Sequence, residues 1–147
     1  MIQILRTHLI KVNFSEKYAS ICNAYKDFEN GKKIFKKQID TVIESNNFDL
    51  EHNSKDKVYY KDYILNKFLL RFSFKIKDGM VELFYFITDK SNNEFVVKRF
   101  NSMCKIENEK FDDLVKHPVP IVSTLEGFNE VLSESLFLHN EFISTFQ

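Results

Sequence analysis

The residues able to do chemistry are few and far apart. Two cysteines, Cys22 and Cys104, and four histidines, His8, His52, His117 and His139, are scattered over different predicted elements. Neither cysteine has a Cys or His neighbour at metal-ligand spacing, so neither a metal site nor a disulfide framework is signalled. The three glycines, Gly31, Gly79 and Gly127, are isolated, whereas a phosphate-cradling loop needs several in close succession. No Gly-x-Ser-x-Gly elbow occurs. A nucleophile and base could still be brought together by folding, because catalytic triads are spatial arrangements, but nothing in the chain names such a pair. Cys22 falls in an apolar helical stripe and Cys104 follows Met103 at the end of a predicted strand; both read as small core residues. His139 is expected to lay its ring on the apolar face of the last helix and hydrogen-bond locally, and His52 and His117 to be solvated loop residues. The expectation is a non-enzyme with no metal and no cofactor.

Carboxylates carry the more informative pattern. Glu126, Glu130 and Glu134 recur every four residues and so stack on one side of a helix, at a cost on the order of a few tenths of a kcal/mol per pair. Glu141 continues the stripe near a helix C-terminus, where the helix dipole disfavours an anion. Asp112 and Asp113 add charge just upstream. The chain holds 21 basic and 21 acidic residues, yet residues 1 to 47 have 8 against 5, residues 48 to 100 have 10 against 8, and residues 101 to 147 have 3 against 8. Neutrality therefore hides a dipole of +3, +2 and −5. Glu126, Glu130, Glu134, Glu141, Asp112 and Asp113 form a candidate partner-binding surface for a cationic protein, the alternative being an ordinary solvated face.

Lys32, Lys33, Lys36 and Lys37 are the densest basic cluster, interleaved with Ile34 and Phe35. With exposed Tyr59, Tyr60 or Tyr63 they could serve phosphate and stacking contacts to nucleic acid. The spacing fits at least as well the solvated back of a helix with Ile34 and Phe35 pointing inward. Zero net charge argues against a whole-surface nucleic-acid binder, because no global positive field exists to release counterions.

These side chains must be held by elements that the hydrophobic periodicity outlines. Residues 1 to 12 fit a helix or a strand. Ser15 can cap a helix starting at Glu16, whose stripe runs through Tyr18, Ile21, Cys22, Tyr25 and Phe28; Phe35, Ile39 and Val42 continue the phase beyond Asn30-Gly31. Two bent helices or one of roughly 30 residues both satisfy that pattern. Asn46-Asn47 stops it, and Glu51 to Asp56 reads as a loop. Val58 to Ile64 reads as a strand. Phe68 to Lys77 alternates with period two, and Asp78-Gly79 then supplies the hairpin turn that needs two positive φ angles. That loop pairs Ile76 with Val81, Phe74 with Leu83, Phe72 with Tyr85 and Leu70 with Ile87.

On the other face Lys75 meets Glu82, Arg71 meets Phe86 and Ser73 meets Phe84. This second face, with Leu69, Met80, Phe84 and Phe86, is rich in aromatic residues; a covering helix is the simpler expectation, an exposed partner surface the alternative. A further strand, Phe95 to Phe100, puts either Lys98 or Arg99 on the core face. Glu107 to Val115 reads as a short helix ended before Pro118. Ser123 and Glu126 make a capping box for a last helix with apolar face Leu125, Phe128, Leu132, Leu136, Ile143 and Phe146. The fold expected over residues 1–147 is a single α+β domain: N-terminal helices, a central antiparallel meander of three to four strands, and C-terminal helices packed on the sheet.

Composition agrees, with 147 residues, 44% hydrophobic, 16 Phe and 6 Tyr, enough to build a core without staples. Arg6 and His8 interrupt the first apolar run, no small-residue cleavage site follows, and no uncharged run approaches the roughly 20 residues of a membrane helix, so a cytoplasmic location is expected.

The order of elements over residues 60 to 147, the connector "HPVPIVSTLEGF" from His117 to Phe128, and the ending "FLHNEFISTF" from Phe137 to Phe146 resemble small immunity proteins that accompany bacterial toxins. The resemblance implies a non-catalytic protein that binds one cognate toxin and occludes its active site or a surface it needs. The leading expectation is therefore a protein-binding inhibitor using the six carboxylates named above, and the alternative is a nucleic-acid-associated accessory protein using Lys32 to Lys37. The oligomeric state is left open.

Overall fold

The structure, a computed structural model, describes all residues 1–147. Residues Ile2–Lys11 settle as a helix, α1, because Leu5 and Leu9, one turn apart, both reach the core. Asn13 then adopts a left-handed conformation (φ 52°) and turns the chain into α2, Phe14–Ala24. Ser15 is not the cap: it lies inside α2, where its amide and hydroxyl donate to the Glu107 carboxylate at 3.1 and 2.7 Å. An anion from a distant segment thus satisfies the helix N-terminus and complements its dipole.

Of the two expected arrangements the pair of helices forms, not the single long one, with a connector from 25 to 35 between them, and α3 is Lys36–Ser45. Ile34 is buried as expected, but Phe35 caps α3 and points to solvent. Gly31 does not end a helix. A Cβ there would stand 2.6 Å from the Asp78 carbonyl oxygen, so this glycine permits the connector to press on the hairpin tip.

Five strands form an antiparallel sheet in sequential order: β1 Glu51–Asn53, β2 Val58–Leu65, β3 Phe68–Lys77, β4 Met80–Asp89 and β5 Glu94–Arg99. The expected count of three to four is exceeded because Glu51 to Asn53, read as loop, pairs with β2 through Asn53 opposite Val58. The β3–β4 register is the one expected, through Ile76 opposite Val81 and Leu70 opposite Ile87, and Asp78 and Gly79 take φ values of 51° and 85°. In β5, Lys98 pairs with Tyr85 and so takes the core face, leaving Phe95, Val97 and Arg99 outside.

The strand ends at Arg99, and Phe100–Glu107 is helix α4, which places Cys104 and Met103 in a buried helix face. The helix expected over Glu107 to Val115 shrinks to one 3-10 turn, Phe111–Asp113. The Pro118–Pro120 connector then closes the hairpin: Val81 N–H donates to Pro120 O (2.9 Å), Val122 N–H to Gly79 O (2.8 Å), and Lys32 N–H to Val122 O (3.0 Å). Helix α5, Leu125–Ser144, follows. Its cap is Thr124, one residue after the expected Ser123, and Thr124 Oγ1 accepts from Gly127 N–H at 2.9 Å. Thr124→Ala should lower stability by about 1 kcal/mol in urea unfolding, and Ser123→Ala by much less.

Helices α1, α2, α4 and α5 lie on one face of the sheet. Phe72, Phe74 and Tyr85 from that face meet Phe100, Phe128 and Phe142, and Phe14 and Tyr18 pack against Phe100 in turn, all fully or almost fully buried. Burial of each such ring stabilises by about 2 to 3 kcal/mol, which is why a chain rich in phenylalanine needs no disulfide. The core is one cluster of 35 buried residues. No helix is long and apolar enough to cross a membrane.

The outer face of the sheet is uncovered, which overturns the expectation of a covering helix. All helices stack on the inner face, and Ile64 (76% exposed), Phe95 (60%) and Val97 (49%) stand in solvent.

Candidate functional site

The six carboxylates do not form one surface. Helix α2 separates them, holding α5 on one side through Lys17 to Glu141 and Tyr25 to Glu130, and the 107–114 segment on the other through Ser15 to Glu107 and Asn23 to the Leu114 carbonyl (2.9 Å). Asp112 is paired with Lys105 at 3.0 Å, and Asp113 beside it is exposed. Glu141 is paired with Lys17 at 3.1 Å, which offsets the dipole penalty expected near the helix end. Glu126, Glu130 and Glu134 are exposed and take part in none of the chain's ion pairs.

The Tyr25 hydroxyl donates to Glu130, and its pKa is pushed up to about 12, first by that bond, then by burial and by the charges of Glu130, Glu134 and Glu126. Phe137 lies on the same outer side of α5, one turn beyond Glu134 and one turn before Glu141, with 69% of its surface exposed. A groove of about 320 Å³ runs beside it against α2, lined by Lys17, Ile21, Glu134, Phe137, Leu138 and Glu141. Phe137 is missing from the sequence-derived site. Its signal was present, since it is an aromatic residue off the phase set by Leu132 and Leu136.

Cys22, Cys104 and His139 are packed into the core. Cys22 and Cys104 are fully buried; burial pushes the Cys22 thiol up to about 12 and the Cys104 thiol further in the same direction, so neither holds a thiolate. His139 is fully buried, stacked 4.5 Å from Phe72 and hydrogen-bonded through Nδ1 to the Tyr85 hydroxyl at 2.8 Å. That partner lies in the sheet, not locally on the helix. His52 lies in β1, where a loop was expected, against Tyr59 (4.6 Å), whereas His117 is in a loop as expected, partly shielded by its stacking on Phe28 (4.8 Å). His8 stacks on Phe146 and bonds to Thr145. No group of three or more His, Cys, Asp and Glu residues is placed to hold a metal ion.

The basic cluster is likewise dispersed. Lys32 and Lys33 lie in the connector, Lys33 over the Phe35 ring, while Lys36 is paired with Asp40 at 2.6 Å. Tyr59 is buried and donates to Asp40 (2.7 Å), Tyr60 lies under Arg71, and Tyr63 is half-buried, so the tyrosines offer no open stacking set beside those lysines. No protein family, curated protein or solved structure matches this chain.

Proposed function

We propose that this protein does no chemistry of its own and acts as an inhibitor of the immunity type, binding a cognate cationic protein through the outer ridge of α5. The observation that carries the reading is Phe137, an aromatic side chain 69% exposed in the middle of a glutamate stripe. An aromatic anchor ringed by charge is the composition of a binding hot spot: the ring fills a pocket and the surrounding groups keep water out. Glu126, Glu130 and Glu134 supply a negative field that steers a positively charged partner toward the ridge. The groove between α2 and α5 gives room for a side chain of that partner beside Phe137.

The partner to test is the toxic domain expected to be encoded beside this gene. With it, the double variant Glu130→Lys/Glu134→Lys should associate about 10-fold more slowly at low ionic strength, the difference shrinking as salt screens the charges. Phe137→Ala should instead speed dissociation by about 10-fold or more. Kinetics unchanged in both variants would overturn the reading.

A further inference from the structure

The outer face of the sheet is an apolar surface that no element of the chain covers. Its cross-strand rows follow from the register: Ile64, Leu69, Thr88 and Phe95; then Asp62, Arg71, Phe86 and Val97; then Tyr60, Ser73, Phe84 and Arg99. Phe84 and Phe86 meet edge to face at 5.5 Å, and Phe86 stacks on Phe95 at 6.3 Å, so the aromatic residues form one continuous strip. Monomeric proteins rarely leave a contiguous apolar patch of more than a few hundred Å² in water.

The geometry points to a second copy of this chain as the occupant, the two outer faces packing as a sandwich about a two-fold axis. Charge is the first argument. Arg71 binds Asp62 through two hydrogen bonds of 2.7 and 2.9 Å with its guanidinium 4.2 Å over Tyr60, and Lys75 pairs with Glu82 at 3.5 Å. These cations and anions neutralise one another through the middle of the face, and Arg99, on the edge strand β5, is the one charge in the three rows outside any ion pair, so two copies bury mostly paired charges and meet with little like-charge repulsion. A nucleic-acid strand would need several free cations among the rings, where the three rows offer only Arg99 at the edge, and a strongly charged protein would find little net field to complement.

Area is the second argument. Four strands about 4.8 Å apart and three rows about 6.6 Å apart span a planar face of about 400 Å² per copy. With side-chain relief the pair would bury on the order of 1,000 Å² in all, the lower bound for a specific interface and the size class of weak, reversible association. Sheets packed in this way lie about 10 Å apart with strands about 30° from parallel. The α5 ridge, on the opposite layer, stays open in such a dimer, so this inference stands independently of the inhibitor reading.

Sedimentation equilibrium of the purified full chain from low micromolar to near-millimolar concentration tests it. Twice the monomer mass is expected at the upper end. Phe95→Lys/Val97→Lys, which alters two exposed side chains and is checked for native circular dichroism, should weaken association at least about 10-fold. Ile10→Lys, an equally exposed site on α1 in the helical layer, should leave it unchanged. A wild-type chain that stays monomeric throughout overturns the proposal. So does association lost equally in Ile10→Lys, which would place the contact on the helices, and so does a monomer that shifts single-stranded RNA in a manner abolished by Phe95→Lys/Val97→Lys.

Discussion

Gly79→Ala is expected to destabilise the protein by about 3 kcal/mol or more, read as a fall in the urea midpoint with an unchanged slope. A Cβ at Gly79 would stand 2.5 Å from the Val122 carbonyl oxygen, 2.7 Å from the Lys32 nitrogen and 2.9 Å from Gly31 Cα, all of them backbone atoms that cannot rotate away. The backbone there also has φ +85°, which an L side chain adopts only under strain. Relief requires the hairpin tip to part from the two segments that clamp it, giving up the bonds from Val122 to Gly79 and from Lys32 to Val122. Gly127→Ala is the internal comparison. It lies in the first turn of α5, its nearest new contact is the Thr124 hydroxyl at 3.1 Å, and alanine favours the helix, so its effect should stay within about 1 kcal/mol. Equal effects at the two glycines would sink the clamp.

Acid is expected to act through His139 well before it reaches the carboxylates. Burial first, and then the charge of Lys61, lower the pKa of this imidazole from 6.5 to about 3 in the folded protein. The unfolded chain therefore takes up the proton first. Stability is fully present above pH 6.5 and is lost as pH falls toward the folded value, by about 3 kcal/mol at about pH 4.5. His8, lowered by burial and by Lys11, adds a change of the same sign, while Asp40 and Asp62, lowered chiefly by bonds to Lys36 and Arg71, act only below the ordinary carboxylate range. His139→Gln keeps an acceptor for the Tyr85 hydroxyl and removes the titration. Urea titrations across this interval should show the wild-type slope reduced by nearly one proton in the variant; parallel slopes would sink the assignment.

The parts of this fold that sequence reasoning recovered are those where one local rule decides. Asp78-Gly79 and the strict alternation of Phe68 to Lys77 determine the hairpin register by themselves, and Asn46-Asn47 ends α3 as its residue types require. The parts that stayed hidden are decided by tertiary context. β1 has only three residues and exists because β2 offers it an edge. Phe100 fits the end of a strand by pattern yet starts α4, because its ring is needed between Tyr18 and Tyr85. Ser15 has the chemistry of a cap, but Glu107, 92 positions away, does the capping. The glutamate stripe was legible from its spacing of four. Its separation from Asp112 by α2, and its partial neutralisation by Lys17, depend on a helix order that no periodicity encodes.

The strictly sequential order of the five strands bears on how the chain finds its fold. Every strand pairs with its neighbour along the chain, so each ladder closes only a short loop and loses little chain entropy. The helical layer is the opposite case, since α2 and α5, joined at the surface by Lys17 and Glu141 at 124 positions' separation, must come together from distant parts of the chain to seal the aromatic interior. Local zippering of the meander, followed by late condensation of helices from both ends of the chain, is the order of assembly that this topology favours.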